Sequence, residues 1–468
     1  MKIQSLTEVS SKYVPITVEI SLIPGLPQIH FLGRADSRLK ECGLRIKSAF
    51  RQCGFRFPKA QQVVVNLTPS HLKKVSPGVE LAVALGLLQA TGQGPRWNPQ
   101  DYIVFGELSL SGEVQFPQVS KFFELPDSVR LLSGRGLETY SSGLRLNHLS
   151  QLENLEAIER TPHSFWQRPP APVVKLTQLQ SEALQVVALG GHHVLLAGAQ
   201  GSGKTLMAEV LHHLLSEPDA DLLRWHEAYF QKPITWRPMA RPHHTITPQS
   251  MVGGGVPPKP GEITRAHGGL LFLDEMMEFK PAALEALREA LSSEHVTVSR
   301  GLQSATFESS FQLVGATNLC PCGRWTPGTR RDCDYSDRRC RSVLQRISGP
   351  LMDRIQGIIY FPPVMESPDV ELEVVREQLR KARKFQQSRG CSENRNFRES
   401  DLRTQELKFW QEWLENFDVP SVRRRQACVS WARTLADLEE SPQIESHHFQ
   451  KAFEVTVQRY DRLFRSPN

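Results

Sequence analysis

The chain has 468 residues, about three times an average domain, so two or three domains with ample buried core are expected. Hydrophobic residues make up 40% and charged residues 23%, an ordinary globular balance that excludes a disordered or collagen-like chain. The formal charge of +6 permits a polyanionic partner such as DNA without demanding one.

The longest apolar stretch, Leu81 to Leu88, falls far short of the ~20 residues a bilayer helix needs. Met1 to Ser10 carries no signal-peptide core, so a cytoplasmic protein without membrane contact is expected. In chain order, Ile16 to Ile23 and Gln62 to Leu67 are β-rich, while Arg38 to Cys53 and Val79 to Ala90 keep helical apolar spacing. Residues 1–160 therefore read as a compact α/β domain. Residues 161–175 are proline-rich and read as a linker. Residues 176–362 alternate short apolar strands with helices, the pattern of a parallel sheet covered on both faces. From 363 to 468 the chain turns helical, with amphipathic stretches at Val370 to Gln387, Leu407 to Phe417, Val422 to Leu438 and Ser446 to Phe464. The fold class is α/β: an α/β domain, an α/β motor-like core and a helical lid.

Chemistry concentrates in the core. The apolar run His193 to Ala197 enters Gly198-Ala199-Gln200-Gly201-Ser202-Gly203-Lys204-Thr205, and Leu206 to Leu215 then reads as a helix. This is the phosphate-loop pattern in its strand-to-helix setting. Gly198, Gly201, Ser202 and Gly203 let backbone N–H groups curl around phosphate oxygens, Lys204 neutralises the β and γ phosphates, and Thr205 offers a hydroxyl to Mg²⁺. Leu270 to Leu273 ends in Asp274 and Glu275. Asp274 suits the Mg²⁺ shell, and Glu275 suits polarising the water that attacks the γ phosphate. A third strand, Phe311 to Thr317, ends in Asn318, whose amide can orient that water. ATP and Mg²⁺ are the expected ligands.

Four of the eight cysteines fall in Cys320, Cys322, Cys333 and Cys340. They are either thiolates for a possible structural Zn²⁺ or four reduced thiols. The pair His243-His244 has no partner spacing for a metal, so a turn or packing role is expected. Val296 to Arg300 and Thr306-Phe307 read as a hairpin before the third strand, with Arg300 a candidate phosphate contact.

Together with Val65-Asn66-Leu67-Thr68-Pro69, Phe105 to Glu113, Arg241-Pro242-His243-His244-Thr245, Cys320-Pro321-Cys322-Gly323, Ser348 to Arg354 and Ala432 to Leu438, these motifs resemble the magnesium-chelatase-like AAA+ ATPases of the ComM/YifB family. The resemblance covers nearly the whole chain. It implies a Lon-like (ribosomal-S5-type) N-terminal domain, an AAA+ core and a helical lid. It also implies a homo-oligomer, a hexameric ring, acting as a DNA helicase or branch-migration motor on single-stranded or branched DNA in recombination or natural transformation. By the same resemblance Arg354 is the finger that reaches a neighbouring subunit's nucleotide, with Arg346 as rival, and Arg423 in Ser421-Val422-Arg423 is the lid arginine called sensor 2. The Lon-like domain would need a Ser–Lys dyad for proteolysis. Ser76 falls near the nucleophile position, Lys121 is out of register for the base, and the glycine-rich nucleophile loop is missing, so a non-proteolytic domain is expected. The alternatives are a chelatase-type or a protein-remodelling motor acting on a substrate other than DNA.

Overall fold

The computed structural model describes residues 1–9, 12–32, 37–69, 77–117, 130–159, 166–230, 234–255, 258–300, 303–320, 322–323, 347–361, 369–391, 393–417, 419 and 421–459. The chain forms two compact units, 1–165 with 220–233, and 166–219 with 234–468. The helix Ala220–Phe230 thus groups with the first unit, although its sequence lies inside the stretch 176–362.

In the first unit, β1 (Lys2–Val9), β2 (Lys12–Pro24), β3 (Ile29–Leu32), β4 (Gln61–Thr68), β5 (Ile103–Val104), β6 (Leu131–Ser133), β7 (Gly143–Arg145) and β8 (Glu156–Ile158) form one eight-stranded sheet in the order β8-β7-β6-β5-β1-β2-β4-β3. The antiparallel register of β1 and β2 pairs Lys2 with Glu19 and Val9 with Lys12. Alternation in β4 turns Val63, Val65 and Leu67 into the core while their neighbours stay partly exposed. The helices α1 (Ser37–Gln52) and α2 (Glu80–Ala90) belong to the same unit. Every residue from Glu80 to Leu88 is buried, so the longest apolar run of the sequence is a core helix. Among the described residues no helix is long and apolar enough to cross a membrane.

The second unit is built on five parallel strands: β9 (Val194–Gly198), β10 (Met239–Ala240), β11 (Leu270–Leu273), β12 (Gln312–Thr317) and β13 (Gly357–Phe361), in the order β10-β11-β12-β9-β13. All residues of β9, β11 and β12 are buried, which is why they read as unbroken apolar runs and not as alternating strands. The first strand in sequence, β9, lies between the fourth and the fifth, so the chain reverses direction of winding there and opens a crevice at the carboxyl ends of β9 and β12. α3 (Gln178–Gly190) leads into β9 through a Thr177/Gln180 capping box and a left-handed Gly191. α4 (Lys204–Leu214) leaves it. The lid helices α5 (Leu372–Ser388), α6 (Thr404–Asn416), α7 (Val422–Leu438) and α8 (Ser446–Phe453) share one apolar core with this sheet, and His192 stacks on Trp431 with ring centroids 4.6 Å apart. The hairpin His295–Arg300 with Gln303–Glu308 has two faces: Val296, Val298, Ala305 and Phe307 are buried, while Thr297 faces Thr306 and Ser299 faces Ser304.

Candidate functional site

The turn between β9 and α4 carries Gly201 at φ +77° and Gly203 at φ +81°. Both lie in the left-handed region that side chains resist, so the loop keeps its curl only with glycine there. Lys204 opens α4 and folds back over the loop. Its Nζ donates to the carbonyls of Gly198 (3.1 Å) and Ala199 (2.7 Å), to Ser202 Oγ (3.4 Å) and to Asn318 Oδ1 (3.1 Å). Partial burial pulls the ammonium below its usual pKa range, and the carboxylates of Asp274 and Glu275 oppose that shift.

Thr205 Oγ1 donates to Asp274 Oδ2 at 2.9 Å, and Asp274 Oδ1 accepts the Glu275 N–H at 3.0 Å. Two hard oxygen donors side by side fit Mg²⁺, which binds through few protein ligands and keeps phosphate oxygens and waters for the rest. Glu275 itself has φ +50° and ψ +47°, a strained conformation for a residue with a side chain. Such strain collects at functional positions. Gly201, Gly203, Lys204, Thr205, Asp274, Glu275 and Asn318 line a cavity of about 390 Å³. Gly198 and Ser202 adjoin it through the lysine.

Arg354 and Arg423 lie elsewhere. They line a second cavity, of about 330 Å³, together with Asp353, Arg395, Glu294 and Ser292. Among the described residues the two cavities share no lining residue. Arg354 follows the short helix Gly349–Met352, which is capped by Ser348. Its Nε donates to Ser292 Oγ (2.8 Å) and its Nη1 to the Pro350 carbonyl (2.7 Å). Burial and the neighbouring guanidiniums of Arg423 and Arg288 push it below the usual arginine range. Arg423 is half exposed, 3.8 Å from Asp353. Arg395 donates to the Phe311 carbonyl (2.8 Å), to Ser310 Oγ (2.8 Å) and to Glu294 (3.1 Å). Arg395 and Asp353 were not singled out in the sequence. Arg395 stands in no motif, and Asp353 gains meaning only when the lid meets the turn before β13.

Cys320 and Cys322 have their sulfurs 2.8 Å apart. Their turn is tied to the phosphate loop, since the Gln200 N–H donates to the Gly323 carbonyl at 2.7 Å and the Gly323 N–H to Cys320 O at 3.0 Å. Cys333, Cys340, Arg346, Ser76, Lys121 and the Arg300 side chain lie outside the described residues. His243 fits its expected turn role, accepting the Thr245 N–H on Nδ1. Among the described residues one cluster, Glu439 with His447 and His448, brings metal-binding atoms within 4.8 Å of one another. His448 Nδ1 accepts the Glu445 N–H at 2.9 Å, so Nε2 carries the proton and donates to Glu439 at 3.1 Å. With Nδ1 capping α8, the nitrogen that faces Glu439 is protonated and has no lone pair to offer a metal.

Strand order, phosphate loop and the acid-tipped β11 together define a P-loop ATPase core. Residues 173–368 match the family model described as magnesium chelatase, subunit ChlI. Residues 18–122 match the model for subunit ChlI of Mg-chelatase, and residues 371–456 the model for its C-terminal part. YifB of Escherichia coli strain K12, described as uncharacterized, is 32% identical over 494 residues, covering 96% of this chain and 95% of YifB. The competence protein ComM of Haemophilus influenzae is 30% identical over 488 residues, 93% of each chain. Lon protease 2 of Bacillus subtilis is 28% identical over 173 residues, 30% of each chain. The chain belongs to the ComM/YifB family of magnesium-chelatase-like AAA+ ATPases. Members of the AAA+ class usually work as oligomers.

Proposed function

We propose that this ATPase is a DNA motor, a ComM-like helicase or branch-migration enzyme that works in the cytoplasm as a homo-oligomeric, hexameric ring during recombination or natural transformation. The observation that carries the motor part is the separation of the two cavities. The phosphate-binding groups line one; Arg354, which the resemblance assigns to a neighbour's nucleotide, lines the other together with the lid arginine Arg423. A head-to-tail ring closes each phosphate cavity with the next subunit's arginines.

In this reading Thr205 and Asp274 would hold Mg²⁺, which would supply positive charge against the phosphates. Lys204 exchanges its loop carbonyls for phosphate oxygens, as a charged donor with stronger acceptors in reach. Asn318, released by the lysine, orients the water that Glu275 polarises. Arg354 from the neighbour stabilises charge on the transferring phosphoryl group, and Arg423 carries the nucleotide state to its lid. A structural Zn²⁺ on Cys320, Cys322, Cys333 and Cys340 would fix the loop that leads to Arg354. The DNA assignment is supported by the relative named a competence protein and by the exposed threonine and serine face of the hairpin His295–Arg300 with Gln303–Glu308.

The family model's own description favours a second reading, a chelatase-type motor. An ATP-dependent strand-displacement and Holliday-junction assay separates the two, with Lys204→Ala as the control. Unwinding or junction movement that the control lacks is expected. Unmoved junctions, with a porphyrin or protein substrate stimulating turnover instead, would remove DNA as the substrate.

A further inference from the structure

Ser421-Val422-Arg423-Arg424-Arg425 places three arginines in a row at the start of α7, and helical rotation of about 100° per residue sends them to different surroundings. Arg423 is half exposed at the cavity. Arg424 is fully buried. Its Nη1 donates to the Thr456 carbonyl at 2.9 Å, and its Nη2 to the carbonyls of Met352 and, at 2.6 Å, Ile355. Nε lies 3.5 Å from Asp353 Oδ1. The same carboxylate oxygen accepts the Ser421 hydroxyl at 2.7 Å, and Ser421 caps α7 by accepting the Arg424 N–H.

Met352 and Ile355 bracket Arg354. One guanidinium therefore grips both sides of the turn that carries the finger, and joins it to the first turn of α7 and to the residues after α8. A buried arginine keeps its charge, so it is stable there only while fixed carbonyl dipoles and a carboxylate replace its water. Moving the turn relative to the lid would break several charge-assisted hydrogen bonds at once in a water-free setting, which is far more costly than losing one exposed ion pair.

We infer that Arg424 is the positioning residue for Arg354, making the lid helix α7 and the finger turn one rigid piece, so that a lid movement in one subunit is a movement of the finger presented to the next. This rests on the proposal that Arg354 acts on a neighbour's nucleotide.

The test mixes variants before ring assembly and reads phosphate release. Arg424→Gln alone is expected to lose at least tenfold in kcat with the KM for ATP within twofold of wild type, because its own phosphate cavity is untouched. Mixed 1:1 with Lys204→Ala, which has an intact finger, it should recover turnover, since about one interface in four of a random head-to-tail ring pairs an intact loop with an intact finger. Mixed with Arg354→Ala it should recover none. Wild-type turnover by Arg424→Gln, or equal recovery with both partners, overturns the inference. If Arg354→Ala mixed with Lys204→Ala also stays inactive, the proposal of a finger acting between subunits falls, and this inference with it. Asp353→Asn, which removes the carboxylate and leaves the buried cation in place, carries the same test if Arg424→Gln lowers the melting temperature or the oligomer size. Arg424→Lys, which keeps the charge without the fork, should rescue only weakly.

Discussion

The two polar cavities of the larger unit differ in how their cations are held. In the first, Lys204 is surrounded by four acceptors, two of them loop carbonyls that a phosphate can replace. In the second, Arg354 and Arg423 gather with Arg395, and the nearby carboxylates of Asp353 and Glu294 are engaged with arginines. Among the described residues, the first is lined by the phosphate loop and paired oxygen donors without an arginine, and the second by arginines without the phosphate loop. Each lacks what the other carries. On the proposed function, the difference means that each chain carries half a catalytic site twice over, completed between copies.

The sharpest way to break that comparison is Arg354→Ala. If the second cavity serves the first across a subunit boundary, turnover should fall by roughly 10³-fold while nucleotide affinity stays near wild type. Phosphate release measured beside equilibrium nucleotide binding reads both. An equal loss in binding would mean that the arginine supports its own subunit's fold. Glu275→Gln removes polarisation of water from inside the first cavity, with a loss of roughly 10²-fold in kcat and nucleotide still bound. Dilution tests the ring itself: dissolving it should lower the turnover of wild type and leave nucleotide binding by Glu275→Gln unaffected.

A finer test concerns the ring of contacts around the phosphate loop. Asn318 meets Lys204, and five residues later Gly323 accepts the Gln200 N–H, so Cys320 and Cys322 lie between two contacts with the loop. Replacing both cysteines by serine should weaken nucleotide binding several-fold without removing any phosphate or Mg²⁺ ligand. Unchanged affinity by fluorescent-nucleotide titration would mean that the turn only rests on the loop. Metal analysis of the purified wild type, by a zinc-sensitive dye after thiol release, reports separately whether the pair holds an ion.

The first cavity was legible in the sequence because phosphate chemistry imposes local spacing. A loop that wraps an anion must be contiguous, and apolar strands that end in Asp274 or Asn318 announce where the sheet opens. The second was legible only at Arg354 and Arg423, through resemblance. Arg395 reaches the cavity by bonding the residue before β12 from the segment between α5 and α6, and no local pattern encodes a contact 84 residues apart in the chain. Arg424 was hidden by its neighbour, since a run of three arginines does not reveal which one the helix turns inward. The helix Ala220–Phe230 was missed for the same reason, as its company in the first unit is a long-range choice.

The smallest expected effect lies in the first unit, at a buried carboxyl that lines neither of the two cavities and so supplies the contrast. Glu80 Oε2 accepts the Leu108 N–H at 2.8 Å and Oε1 meets Arg45 at 3.0 Å, yet burial outweighs both and lifts its pKa to about 7. The unfolded carboxyl titrates near 4.5. Between these values the folded chain holds the proton that the unfolded chain has released, so stability falls as pH rises from 4.5 through 7, by at most about 1.4 kcal/mol per pH unit, and levels off above. Glu80→Gln keeps an acceptor for Leu108 and cannot ionise. Its melting temperature relative to wild type should therefore climb across that pH interval, whereas turnover per folded chain stays constant. A relative melting temperature that is flat or descending with pH would mean that Arg45 holds Glu80 ionised throughout, and that the first unit tolerates a buried ion pair as readily as the second.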